Sequence, residues 1–329
     1  MRRFLKPGLL VLLFATAMAA SWIPLPYYSV GPGPAREVEP LIHVTGHKVY
    51  PSDRRLIMTT VAFRPLAAVG AVAAWLDPHE SVVSRSDLYP SGGTVAQEDQ
   101  RQISEMDTSK IDAAFVVLHS LTSYPSGSAG GVLIESVVSR CPAEGKLFAG
   151  DLVKAIDGVT ITDRKQAIRQ LDRIPAGDPI SLQVTAAGQT HTITVTRAQC
   201  VKGFGPIVGI GMVDSFPFGI SISSGDVGGP SAGLMWALGL YDLLTPGDLT
   251  GGRSIAGTGT IDLDGKVGPI GGIQDKIVAA EDAGARIFLV PQGNLQDART
   301  ADDGSMKLVA VSSFQDALSY LQGGGPATA

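Results

Sequence analysis

The chain has 329 residues, 44% of them hydrophobic, enough to build two or three domains with real cores. Its 26 basic and 31 acidic side chains leave a net charge of −5 with no long basic run, which argues against nucleic acid as a partner. Two cysteines, Cys141 and Cys200, and five scattered histidines form no cluster with metal-ligand spacing, so neither a metal nor another cofactor is expected.

At the N-terminus Arg2, Arg3 and Lys6 precede an uncharged run from Pro7 to Ala35. Its strongly apolar part, Gly8 to about Leu25, approaches the ~20 residues needed to span a bilayer. Basic residues ahead of it orient the N-terminus to the cytoplasm and the bulk outside. The pattern predicts a transmembrane signal-anchor over residues 1–28, with Trp22, Tyr27 and Tyr28 at the interface. Ala17-Met-Ala19 keeps a cleaved signal peptide as the competing reading. Either way the body faces an oxidising exterior, where a Cys141–Cys200 disulfide is permitted.

Tyr28 to Glu39 reads as a Gly/Pro-rich linker. His43 to Phe63 reads as a hairpin, with Leu56–Phe63 as a strand and Tyr50–Asp53 as a turn. Leu66–Leu76 is an Ala-rich helical stretch, and the polar run 88–102 has no clear assignment. Ile103–Leu121 is helical, with Ile111, Ala114, Phe115 and Leu118 on one face. His119 in that helix reads as core or surface rather than catalytic. Tyr124–Gly130 is a second linker. Strands are expected over 133–138, 180–185 and 190–196, with a helix over Asp163–Ile174. Phe216–Ser223 alternates as a half-buried strand does. Segments 256–263, 286–290 and 307–310 complete a sheet, Ser313–Leu321 forms a last helix, and Gly323–Ala329 is expected to be disordered.

Two stretches carry chemistry. In Asp226-Val-Gly-Gly-Pro-Ser-Ala-Gly-Leu-Met-Trp-Ala-Leu-Gly-Leu240 a Gly-rich loop feeds an apolar helix. Pro230 suits its first position. Ser231 then lies in the first turn, where amides are unpaired and the helix dipole is positive. That makes it either a cap or a nucleophile beside an oxyanion hole built from its own N–H and those of Gly228 and Gly229. Downstream, Asp264-Gly265 between apolar runs signals a hairpin, and Gly271-Gly272 opens a helix that ends near Gly284. Ile273, Ile277 and Ala280 share one face of that helix, and Lys276 falls on the same face. A lysine there either snorkels to the surface or is buried, loses its proton readily and serves as a general base. A neutral amine beside Ser231 would make the Ser-Lys variant of nucleophile plus base.

Gly-Pro-Ser231-Ala-Gly, Thr258-Gly and Gly-Gly-Ile-Gln-Asp-Lys276-Ile-Val-Ala-Ala resemble the proteolytic domain of Lon proteases. The resemblance implies that Ser231 is the nucleophile, Lys276 the base and Thr258 a hydrogen-bonding partner near the lysine. Gln274 stands where the family has its other lysine. Gly228 stands where the family often has an acidic residue, with Asp226 two positions earlier. Residues 130–199 resemble a PDZ domain: Gly131-Val132-Leu133-Ile134 looks like its carboxylate-binding loop and Gly150–Gly158 like its Gly-Asp-x-Ile-x-x-Ile-Asn-Gly segment. Such a domain adds an extended peptide as a strand; a plain globular spacer is the alternative.

The whole resembles the PDZ-containing, Lon-like serine proteases of Gram-positive bacteria. The implied fold is α+β/α/β. It has a Lon-type proteolytic domain (29–123 and 201–329) interrupted by a β-rich PDZ domain (124–200), behind a transmembrane helix. The implied function is membrane-anchored serine endopeptidase. No Gly-x-x-x-x-Gly-Lys-Ser/Thr occurs, so the activity is expected to be ATP-independent. Its partners would be polypeptide substrates, among them unfolded or membrane-protein tails outside the cytoplasm, and further copies in a hexameric ring. A non-enzymatic peptide-binding scaffold is the alternative. A Ser-His-Asp hydrolase finds no Gly-x-Ser-x-Gly elbow.

Overall fold

The computed structural model describes residues 8–9, 11–12, 15–16, 24–50, 55–88, 94–186 and 188–323. Most of the expected anchor, residues 51–53 of the expected turn and the tail beyond Gly323 lie outside the described residues. Among the described residues no helix is long and apolar enough to cross a membrane.

The first third runs β1 (Pro24–Pro32), β2 (Arg36–Glu37), β3 (Ile42–Thr45), β4 (Arg55–Met58), β5 (Val61–Ala67), α1 (Ala68–Leu76), β6 (Ser81–Ser84), α2 (Arg85–Leu88) and α3 (Val95–Leu121). The middle runs β7 (Val132–Val137), β8 (Leu152–Ile156), β9 (Val159–Thr160), α4 (Arg164–Arg173), β10 (Ile180–Ala186), β11 (Gln189–Val195) and β12 (Ile210–Asp214). The last third runs β13 (Gly219–Ile222), α5 (Gly233–Leu244), β14 (Ser254–Gly257), β15 (Thr260–Ile261), β16 (Val267–Gly268), α6 (Ile273–Asp282), β17 (Ile287–Pro291), α7 (Leu295–Ala301), β18 (Lys307–Val311) and α8 (Phe314–Leu321).

The central sheet has the order β18-β17-β14-β4-β2, parallel except for β2. Its strands are apolar on both faces, as a covered parallel sheet requires. Leu56, Met58, Ile255 and Leu289 point into a core shared with α3, α5 and α8. Ile57, Ala256, Phe288 and Val290 point the other way, onto α6 and α7. α5 is buried along almost its whole length and lies between the sheet and α3.

Residues 43–63 do not form the expected hairpin. β3 pairs with β13, and β4 is a parallel strand of the central sheet. The apolar stretch 56–63 breaks at Thr59-Thr60 and continues as β5 in another sheet. Leu56-Ile57-Met58 is apolar on both faces, which suits a central strand rather than a half-exposed ribbon.

The stretch read as anchor end and linker also differs. β1 pairs with β5 on one side and β6 on the other. Its doubly paired stretch is Tyr28–Val30, and Pro24, Pro26 and Pro32 fall outside it, where a missing N–H breaks no double ladder. The prolines hid a Tyr-Tyr-Ser-Val strand. The polar run 88–102 contains the start of α3, where Thr94 and Gln97 form a reciprocal capping box.

The middle segment is a sheet of order β11-β10-β8-β7-β12 with β9 on β8, over a core of its own that includes Val132, Ile134, Val153, Leu171 and Val184. β12 lies beyond residue 201, in chain that the sequence reading returned to the flanking domain. Cys141 and Cys200 are bonded, tying the turn after β7 to the segment after β11.

Candidate active site

Ser231 sits in a single turn of 3-10 helix, Pro230–Ala232, that runs straight into α5. The turn is held from three directions. Ser109 Oγ on α3 donates to the Pro230 carbonyl at 3.0 Å. The Gly259 N–H and Thr258 Oγ1 both donate to the Ser231 carbonyl, at 2.8 and 2.9 Å. Leu234 N–H donates back to the Gly259 carbonyl. The serine is thereby locked to the end of β14 before its hydroxyl does anything.

Lys276 lies on the inner face of α6, 3% exposed. α6 begins at Gly272, which is left-handed (φ 65°). A Cβ there would come within 2.6 Å of Val61 Cγ2, so only glycine lets α6 start this close to β5. Lys276 Nζ is 2.7 Å from Ser231 Oγ and 3.0 Å from Thr258 Oγ1. The threonine spends its own proton on the Ser231 carbonyl, so its oxygen is left to accept from the amine. Burial pulls the Lys276 pKa down to about 8. Among the described residues no carboxylate pairs with it to oppose that shift. Near neutral pH a useful fraction of the amine is therefore uncharged, with a lone pair facing the serine hydroxyl.

Ser231 and Lys276 open onto a cleft of about 930 Å³ bordered by Thr59, Val61, Gln102, Asp226 and Gly271. The two glycines expected to help bind an oxyanion divide. Gly229 N–H already donates to the Gln102 carbonyl at 2.8 Å, which takes it out of the hole. The Ser231 N–H stands ahead of the helix ladder, where amides have no intrahelical acceptor. Gly228 borders the cleft, close against Gln102.

The structure adds residues that no motif marked. Asp112 on α3 is buried, its Oδ1 has no hydrogen-bond partner among the described residues, and burial with nearby Glu135 and Asp262 pushes its pKa up to about 8. Gln102 and Ser109 shape the serine loop through the bonds just described. Only the helical period of α3 was visible in its sequence, and that period does not say which side faces the loop. His119 Nδ1 lies near the Tyr124 carbonyl, and the ring stacks on Phe115, away from the dyad.

In the middle segment Gly131, Val132, Leu133 and Ile134 do not form an open edge. β7 is flanked by β8 and β12, and Gly131 accepts a bond from Ser215 N–H. The sheet's terminal strands are β11 and β12, and β12 is the one that adjoins α4. α4 packs against both β12 and β8, and the Arg164 N–H donates to Asp214 Oδ1 at 2.6 Å. Gly209-Ile-Gly-Met212, with its own alternation of glycine and apolar residues, opens this strand. Gly209 is left-handed and lies against Cys141, whose Cβ would be 2.1 Å from any Cβ placed there. A Gly-apolar loop occurs twice in the sequence, and pairing alone decides which copy has a free side.

Comparison with known proteins matches residues 218–322 to the family described as Lon protease (S16) C-terminal proteolytic domain. Residues 104–197 match the PDZ domain family. Lon protease 2 of Bacillus subtilis (strain 168) is 40% identical over 106 residues, 32% of this chain and 17% of its own length. A Lon protease of Campylobacter jejuni is 33% identical over 117 residues, 34% of this chain and 14% of its own. The chain thus spans less than a fifth of the length of these curated relatives. Among solved structures, the PDZ domain of an SdrC-like protein from Listeria innocua is 27% identical, with 25% of this chain and 92% of that one covered, at a TM-score of 0.24. The chain carries a Lon-type C-terminal proteolytic domain and a PDZ domain.

Proposed function

We propose, from the premise of a Lon-type proteolytic domain joined to a PDZ domain, that this protein is a serine endopeptidase working through Ser231 and Lys276. The observation that carries the reading is the 2.7 Å contact between a buried lysine amine and the serine hydroxyl. As neutral Lys276 accepts the hydroxyl proton, Ser231 Oγ attacks the carbonyl carbon of a substrate peptide bond. The tetrahedral oxyanion meets the Ser231 N–H at the positive end of α5. The ammonium then returns its proton to the leaving amine, and an acyl-enzyme remains. Lys276 next takes a proton from water as its oxygen attacks the ester carbonyl, then gives that proton to Ser231 Oγ as the acyl–oxygen bond breaks and the acid product leaves. Thr258 keeps the amine aimed at the serine throughout.

The open edge of β12 beside α4 is where an extended peptide tail would add as a further strand. The apolar run before β1 would anchor the chain with its body outside the cytoplasm. With no nucleotide-binding loop in these 329 residues, cleavage would proceed without ATP, on unfolded segments or exposed tails.

The test uses the full chain in detergent with casein as an unfolded substrate, beside Ser231→Ala and Lys276→Ala. Both substitutions are expected to abolish cleavage, a fall of about 10⁴-fold or more. Equal cleavage by all three chains removes the dyad. Absence of cleavage in the unaltered chain favours a peptide-binding scaffold.

A further inference from the structure

α1 reads Ala68-Val-Gly-Ala-Val-Ala-Ala-Trp-Leu76 and has no charged or hydrogen-bonding side chain but the indole of Trp75. A helix apolar all round is ordinarily buried. This one packs on β1, β5 and β6 by one side only. On the other, Val69, Val72, Trp75 and Leu76 are 50, 59, 79 and 69% exposed.

The position of this patch is informative. β1 begins at Pro24, which pairs with Ala67, the residue that caps the start of α1. The apolar run from Gly8 to about Leu25 therefore enters the folded body beside the first turn of the exposed helix. Nine residues at ~1.5 Å each make α1 about 13 Å long, so its whole exposed face lies within that reach of the chain's entry point. If the run is embedded in a bilayer, the interfacial layer, roughly 5–7 Å thick on each side, adjoins α1. A tryptophan and leucine at the far end of an uncharged helix suit that layer.

We propose that α1 is a second membrane contact, lying in the interface with Val72, Trp75 and Leu76 among the lipid head groups and upper acyl chains. Together with the anchor it would fix the tilt of the body over the bilayer, since a single point of attachment would not. The inference rests on the anchor reading given above.

The full chain is reconstituted into phosphatidylcholine–phosphatidylglycerol vesicles with or without acyl chains brominated near the head group. A Trp22→Phe background removes the tryptophan in the apolar run, and Trp236, which is fully buried, supplies a constant signal. The chain is expected to float with the vesicles and to lose most of the Trp75 emission in brominated lipid. The Trp22→Phe, Trp75→Phe chain should show no quenching. Flotation without Trp75 quenching overturns the α1 proposal and leaves the anchor standing. Failure to float overturns both. Trp75 emission that stays unquenched but shifts to the blue with rising protein concentration assigns the patch to a second copy of the chain instead.

Discussion

α5 and α1 are two nearly uncharged apolar helices in one chain, and their surroundings are opposite. α5 is enclosed by the central sheet, α3 and α8, and its one acid, Asp242, is buried while accepting from the Leu249 N–H. α1 covers a small sheet and is itself uncovered. Apolar composition thus states that a helix needs cover, not where the cover comes from. α5 finds it within the fold, and the rigidity that follows places Ser231 at its mouth. α1 finds none among the described residues, and the cover proposed for it is lipid.

The largest effect that separates the two is on stability. Trp236 on α5 is fully buried, and its Nε1–H points at Met106 Sδ at 3.4 Å. Trp236→Ala is expected to cost about 3–5 kcal/mol, read as a lower denaturant midpoint in chemical unfolding. A cost near zero would mean that α5 is not the centre of the core.

The next effect arises where α5 meets α6. Lys276 has its pKa lowered to about 8 by burial, against ~10.4 when unfolded. Between these values the unfolded chain binds more protons, so stability rises with pH across the window and the penalty is complete below about 8. Lys276→Met should therefore stabilise the protein at pH 7 by an amount on the order of 3 kcal/mol, and the gain should shrink through the window and vanish above about pH 11. The same titration predicts that kcat/KM of the unaltered chain rises with pH and levels off above about 8. A flat profile from pH 6 to 9 argues against a lysine base.

Asp112 on α3 gives the opposite sign. Its carboxyl is raised to about 8 from ~3.9 in the unfolded chain, first by burial and then by Glu135 on β7 and Asp262 in the β15–β16 turn. The protonated acid is preferred in the fold. Its stabilisation is complete below about pH 4 and is lost as pH climbs towards 8. Asp112→Asn should flatten that decline by about 1 kcal/mol or more between pH 5 and 8. Parallel pH dependences for the two chains would show that Asp112 does not titrate in this window.

How much of this was legible depended on whether a signal was local. Ser231, Lys276 and Thr258 stand in short motifs whose glycines are demanded by close backbone approach, as Gly272 against Val61 shows. The Ser231–Lys276 contact was therefore readable although the two residues are 45 positions apart. Pairing partners were not. Strand β4 looked like a hairpin arm because its apolar pattern does not say whether the neighbour is β3 or β14. The carboxylate-binding loop was read at Gly131–Ile134 for the same reason: β7 and β12 both follow a Gly-apolar loop, and only the sheet order puts β7 inside and β12 at an edge. The Thr94–Gln97 capping box was local and readable, and it lay unread inside a polar run.

The smallest expected effect tests the comparison from the other side. With 79% of its surface exposed, Trp75 on α1 makes few contacts that folding could exploit. In detergent, Trp75→Ala should shift the free energy of unfolding by no more than about 0.5 kcal/mol, as for an ordinary surface position. Read in the same denaturation experiment as Trp236→Ala, it gives a direct contrast between two tryptophans on two apolar helices. A cost approaching that of Trp236 would mean that Trp75 is already packed against protein. In a detergent-solubilised chain that protein would be another copy, and the lipid contact would give way to a subunit interface.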